Sequence, residues 1–202
     1  MIRAVFFDLG KVLVDFNLDI CVQKLARTSG REVEEIKSLL FTPRMHEFER
    51  GRLTGQEFLG EIHAAIKYPD TLESMIHAFN DIFSIMPDNV ALLERISQKF
   101  PVGLVSNTNH LHAEFVESRY SFPSLFTKRI YSQETGYRKP EPEIFQVACE
   151  ALGTEPGESL FIDDLLSNIQ GARNLGFHTI HLETGRYLAA ELRRFPELAP
   201  FV

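Results

Sequence analysis

Ala4-Val5-Phe6-Phe7-Asp8-Leu9-Gly10-Lys11 is the stretch that decides the fold. Its apolar run, Ala4 to Phe7, does not alternate with polar residues, which predicts a central strand covered on both faces. The run ends abruptly in a carboxylate followed by a glycine, so Asp8 belongs at the carboxyl edge of that strand. Open parallel sheets bind ligands along this edge, where a lone aspartate can serve as nucleophile or metal ligand. Taken alone, the same residue could equally be an acid that starts a turn.

Outward from β-like residues 4–7, further buried strands are expected at Pro101–Val105 and Ser159–Ile162, a short strand at Arg129–Tyr131 and another strand at Phe177–His181. Helices are expected from Pro87 towards Lys99, from His110 to Ser118, from Pro140 to Leu152, from Ser167 to Leu175 and near Tyr187 to Arg194. Strand and helix alternate, which predicts an α/β fold with a Rossmann-like parallel sheet whose functional loops share one edge. Between Asp15 and Met86 the pattern is helical throughout, with no convincing strand. The expected organisation is therefore an α/β core domain, residues 1–15 and 87–202, interrupted by a helical domain at 16–86. Asn17 or Asp19 can cap a first helix through Leu25, and Val33, Ile36, Leu39 and Leu40 mark a second that Thr42-Pro43 ends. Thr54 and Glu57 have capping-box spacing. Leu72, Met75, Ile76, Phe79 and Phe83 fall on one face of the last helix.

The 202 residues suffice for one such domain with its insertion, and 44% hydrophobic content is ordinary for a globular protein. A formal net charge of -7, without any basic run, argues against a nucleic-acid surface or an acidic-membrane partner. The opening MIRAVFFDLG is too short an apolar stretch for a secretory signal or a membrane span, so a cytoplasmic location is expected. Cys21 and Cys149 show no CxxC spacing and read as free thiols in a reducing compartment.

Four stretches carry chemistry: Asp8, Ser106-Asn107, Lys139 and Asp163-Asp164, each at the end of an expected strand or the start of a helix. Separately, they have bland explanations as turns, an exposed lysine or helix-capping acids. Adjacent carboxylates at the end of an apolar strand repel unless a cation or proton intervenes, and the four together at one edge specify a site. The segments FFDLGKVLVDF, VSNTNHLH, YSQETGYRKPEPEIF and FIDDLLSNIQGARNLG resemble the haloacid dehalogenase (HAD) superfamily with a helical C1-type cap, over essentially the whole chain. Within it they look like the subgroup of sugar-phosphate phosphatases similar to α-glucose-1-phosphate phosphatase.

This resemblance implies Mg²⁺-dependent hydrolysis of a small phosphomonoester, such as glucose 1-phosphate, through an aspartyl-phosphate. Asp8 would be the nucleophile. Mg²⁺ would be held by Asp8, the backbone carbonyl of Gly10 and Asp164, with Asp163 coordinating or positioning a bound water. Ser106 and the amides of Asn107 and Thr108 would hold phosphate oxygens, and Lys139 would set a fixed positive charge between phosphate and Asp8. The helical insertion would cover the site, and its polar stretch Arg44–Gly51 offers Arg44, His46 and Glu49 to sugar hydroxyls.

One position departs from the pattern. Most phosphatases of this family carry a second Asp two residues after the nucleophile, where it protonates the leaving oxygen, a role worth ~10²–10⁴-fold in rate. Here that residue is Gly10, as in the subgroup. An anomeric leaving oxygen is less basic than an ordinary alcohol and needs less protonation. Lys11, His110 and His112 are conceivable substitutes, although the two histidines read as solvent-facing and Asp15 as a helix cap. Two rivals stand beside the phosphatase: a catalytically weak or inactive phosphate- or partner-binding protein, and a 2-haloacid dehalogenase-type hydrolase, against which the pair Asp163-Asp164 counts.

Overall fold

The run Ala4–Phe7 forms β1, with all of its residues buried. The computed structural model describes residues 1–202 and places β1 at the centre of a five-stranded sheet. The other members are β4 (Val102–Ser106), β5 (Lys128–Tyr131), β6 (Ser159–Asp163) and β7 (His178–His181), in the order β5-β4-β1-β6-β7. Every pairing is parallel, so the loops leaving the strands meet at one edge.

Alternation along each strand divides the core in two. Val5 and Phe7 point with Leu104, Leu160 and Ile162 into one cluster, where α6 (Pro87–Ser97), α7 (His110–Arg119) and α11 (Leu188–Leu192) pack. Ala4 and Phe6 point with Val105 and Phe161 into the other, covered by α9 (Pro142–Leu152) and α10 (Leu166–Asn174). Phe6 lies opposite Gly103 in the register. A Cβ at Gly103 would sit 2.4 Å from Phe6 Cδ1, so the glycine makes room for the ring.

The insertion carries α1 (Leu18–Ser29), α2 (Val33–Leu40), α3 (Pro43–Glu49), α4 (Gly55–Ala65) and α5 (Leu72–Asn80). They enclose a third apolar cluster of their own, from Cys21 to Ile82. Asn17 caps α1 by accepting from Asp19 N at 2.9 Å, and the Thr54–Glu57 capping box forms reciprocally. No helix is long and apolar enough to cross a membrane.

Several expectations need correction. Residues 16–86 are not wholly helical, because β2 (Val14–Phe16) and β3 (Phe83–Ile85) pair antiparallel where the chain enters and leaves the insertion. Phe83 therefore belongs to this ribbon and not to α5. Strands of three residues are too short to show a period in sequence. The polar stretch after Pro43 is itself a helix, α3, with the proline in its first turn. Asp15 caps nothing: its carboxylate binds the Lys11 ammonium and accepts from Phe16 N at 2.8 Å. Pro140 lies outside α9, in a cis peptide bond after Lys139.

The two histidines of α7 face inward. His110 Nε2 accepts from Gly55 N at 3.3 Å, and His112 stacks on Phe79 with ring centroids 4.3 Å apart. Its Nε2 lies 3.1 Å from Phe79 O and its Nδ1 3.2 Å from Asn109 Nδ2, the pattern of a neutral ring that donates at Nε2 and accepts at Nδ1. Burial depresses its pKa to about 4.

Two predictions come from this packing. Gly51 has φ +70°, and a Cβ there would lie 2.1 Å from Gln133 O. Gly51→Ala should therefore cost about 1–3 kcal/mol, read as a lower denaturant midpoint. His112 stays neutral in the folded chain at pH values where it would be protonated in the unfolded one. Its contribution is complete above about pH 6.5 and is lost as pH falls towards 4. His112→Phe should flatten the fall of stability across that window, measured by urea titrations at stepped pH.

Candidate active site

Asp8 follows the last residue of β1, its amide donating to Ile162 O at 2.9 Å. Its carboxylate sits at the strand end, where Leu9 N donates to Oδ1 at 2.7 Å. The buried Lys139 ammonium lies 2.7 Å from Asp8 Oδ1 and 2.7 Å from Asp163 Oδ2, bridging the ends of β1 and β6. Asp163 is wholly buried, and both of its oxygens accept from Asn168 Nδ2 at 3.0 Å while Leu165 N donates to Oδ1 at 2.8 Å. Its neighbour Asp164 is partly exposed. One carboxylate oxygen from each of Asp8, Asp163 and Asp164 falls within a 4.8 Å cluster.

Charge is unbalanced there. Three carboxylates against one ammonium leave two negative charges in a poorly solvated place. Burial is the main influence pushing the Asp8 pKa up, to about 7, with Lys139 pulling it down and Asp163 pushing it further up. Burial and the Asp163 charge likewise raise that of Asp164. Burial works to lower the Lys139 pKa, but the two aspartates outweigh it and hold the ammonium charged. The carbonyl of Gly10, two residues after Asp8, accepts no backbone hydrogen bond. An all-oxygen donor set with a surplus of two negative charges fits a hard divalent cation.

Lys139 is aimed by Asn107. The Asn107 side chain accepts from Lys139 N at 2.7 Å and donates to Lys139 O at 2.9 Å, clamping the backbone on both sides. Ser106, buried at the end of β4, makes no side-chain hydrogen bond, and no protein acceptor takes the Asn107 amide. Thr108 departs from its expected role because its amide donates to Ser132 Oγ at 3.0 Å. The hydroxyl of Ser132, in the short α8 (Ser132–Thr135), also lies within 3.0 Å of Thr108 O and 2.6 Å of Glu49 O.

A cavity of about 230 Å³ opens above Gly10, Ser106 and Asn107 and reaches the insertion, with Phe16, His46, Glu49 and Arg138 among its walls. Arg138 lies 2.8 Å from Glu49, whose pKa is raised by burial and partly offset by that charge. Arg44 is not at the cavity. It binds Glu61 of α4 at 2.7 Å. Beside Glu49, the Arg50 guanidinium forks onto Glu141 and donates to Gly136 O at 2.9 Å.

Thus Asp8, Lys139, Asp163 and Asp164 come together at the strand ends, Asn107 joins them through the Lys139 backbone, and Gly10, Ser106, Asn107, His46 and Glu49 line one cavity. Ser132, Arg138, Asn168 and Phe16 were missed. Only Arg138, adjacent to Lys139, carried a signal in the sequence.

A family model described as haloacid dehalogenase-like hydrolase matches residues 2–176. The D-ribitol-5-phosphate phosphatase of Bacteroides thetaiotaomicron is 29% identical, over 95% of this chain and 97% of that protein. A HAD-family enzyme of the same organism, solved in complex with magnesium and inorganic phosphate, superposes with a TM-score of 0.85 at 29% identity, covering 96% of this chain and 100% of that one. An (S)-2-haloacid dehalogenase of a Pseudomonas species is 27% identical over 90% of this chain and 84% of its own.

Removing the ammonium should expose the repulsion it offsets. Lys139→Met leaves two buried carboxylates facing each other and should lower stability by about 3–5 kcal/mol in EDTA, with part of the loss recovered on adding Mg²⁺. Denaturant unfolding with and without the ion measures both.

Proposed function

The chain belongs to the haloacid dehalogenase-like hydrolases, and from that premise we propose that it is a Mg²⁺-dependent phosphatase that hydrolyses a small phosphomonoester through an aspartyl-phosphate on Asp8. The observation that carries this reading is the Lys139 ammonium, 2.7 Å from both Asp8 and Asp163 in a three-carboxylate cluster, its backbone held by Asn107, which with Ser106 lines the cavity that reaches the insertion. The phosphatase name of one relative and the magnesium and phosphate bound by a structural neighbour support it.

In the first step an Asp8 oxygen attacks phosphorus as the bond to the leaving oxygen breaks, and that oxygen departs with the electron pair. Water then attacks phosphorus, regenerating the Asp8 carboxylate and releasing phosphate. Lys139 fixes Asp8 and presents positive charge to the transferring group. Ser106 Oγ and the Asn107 amide are the unpartnered donors placed for phosphate oxygens. Mg²⁺, held by Asp8, Asp164 and the Gly10 carbonyl, would screen the carboxylate from the phosphate it approaches. Asp163, with its oxygens engaged by Lys139, Asn168 and Leu165, serves to position its neighbours.

Residues 16–86 act as the cap over this site, and residues 1–15 with 87–202 as the core. Glu49, His46 and Arg138 form a polar corner for substrate hydroxyls, while Phe16 supplies an apolar wall. That combination suits a sugar phosphate. Gly10 favours a sugar 1-phosphate, whose anomeric oxygen leaves readily. Asp163 and Asp164 disfavour the dehalogenase alternative, and a complete Asp8–Lys139–Asp163 cluster disfavours a binding protein without turnover.

Hydrolysis should require Mg²⁺, stop in EDTA, and fall by roughly 10³-fold or more in Asp8→Asn. Phosphate release from glucose 1-phosphate, glucose 6-phosphate and ribitol 5-phosphate decides the substrate class. Equal turnover of an activated aryl phosphate by wild type and Asp8→Asn, with Mg²⁺ present, would end the enzyme reading.

A further inference from the structure

Gly10 is the second residue after Asp8 and lines the cavity floor beside Ser106 and Asn107. A Cβ built there would lie 2.7 Å from Phe16 Cε1 and 3.2 Å from Cδ1. Contacts under 3.0 Å do not persist, so any side chain at position 10 must displace the ring. Phe16 is held where it is. It faces Phe83 across the β2–β3 ribbon, ring centroids 6.2 Å apart, and the Lys11 ammonium lies 5.0 Å from its centroid. Lys11 in turn is tied to Asp15 and to Phe16 O.

The loop that carries Asp8 therefore presents an aromatic wall to the cavity, and its one ammonium, Lys11, is tied to Asp15 and Phe16 O and is not among the cavity's walls. The titratable side chains that line the cavity come from elsewhere: His46 and Glu49 from α3, His112 from α7, and Arg138. Both ring nitrogens of His112 are engaged, the Glu49 carboxylate is paired with Arg138, and His46 stands with them on the insertion side of the cavity, in the corner assigned to substrate hydroxyls.

We infer that Phe16 is a specificity-determining residue of this enzyme: its ring fills the space a side chain at position 10 would enter, so turnover is confined to phosphomonoesters whose leaving oxygen departs with little help from an acid. This rests on the phosphatase reading above. When the bond to phosphorus breaks, its electron pair stays on the leaving oxygen, and water supplies the proton afterwards. Aryl, enol and anomeric phosphates satisfy this condition. Simple alkyl phosphates do not.

The test uses the full chain with Mg²⁺ and a series of aryl phosphates of increasing phenol pKa, ending in an alkyl phosphate. Wild-type kcat/KM should fall steeply along the series. Gly10→Asp alone should gain nothing on the alkyl phosphate, whereas Gly10→Asp with Phe16→Ala should exceed that single variant there by roughly tenfold or more. A shallow wild-type dependence, or a single variant that performs as well as the double, overturns the inference. Absence of wild-type turnover across the whole series instead removes the phosphatase reading beneath it. The steric step has its own readout in thermal unfolding. Gly10→Ala should lower the midpoint by several degrees in wild type and distinctly less in a Phe16→Ala background. Equal shifts in both backgrounds refute it whatever the kinetics show.

Discussion

A single buried ammonium ties the ends of two neighbouring strands together. Asp8 at the end of β1 and Asp163 at the end of β6 would repel across a poorly solvated gap, and Lys139 lies 2.7 Å from each. Coulombic attraction at that separation is strong only because water is largely excluded, and the same exclusion makes loss of either partner costly. Lys139 comes from the loop before α9, and the side chain of Asn107, beyond β4, fixes its backbone on both sides. Three crossovers of the sheet thus converge on one nitrogen atom.

That nitrogen does not neutralise the site. Asp164 adds a third carboxylate, and burial, with the Asp163 charge added to it, pushes the Asp8 pKa up to about 7 despite the pull of Lys139. The deficit is what a divalent cation supplies. Of the two late aspartates, Asp163 is saturated with hydrogen bonds from Lys139, Asn168 and Leu165, while Asp164 is the more open. One member of the pair builds the site, and the other is free to take part in its chemistry.

Much of this was legible in the sequence because the relevant signals are local. Four apolar residues ending in Asp8, and an apolar strand ending in two acids, declare buried strands with charged tips. Contacts between distant segments were not legible. Ser132 joins Thr108 to Glu49, but nothing near it in sequence marks a serine with that reach. Arg44 and Arg138 are told apart only by their distant partners: one turns to Glu61 on the surface of the insertion and the other to Glu49 at the cavity. The β2–β3 ribbon escaped because three-residue strands have no measurable period. The reading of His110 and His112 as solvent-facing failed because the partner that covers them, the insertion, is brought there only by tertiary packing.

The insertion and Lys139 are positioned by the same contacts. At the end of α3, Glu49 pairs with Arg138, Arg50 forks onto Glu141 and Gly136, and Gly51 lies against Gln133 with no space for a side chain. All of these partners lie between residues 133 and 141, the segment that delivers Lys139. A shift of α3 away from the core would strain that segment and, through it, the ammonium between Asp8 and Asp163. At the other side of the cavity, the ribbon through which the chain enters and leaves the insertion carries Phe16 and Phe83. The seating of the helical insertion therefore bears on the charge beside Asp8, and its stalk supplies Phe16 and Phe83 to the cavity wall.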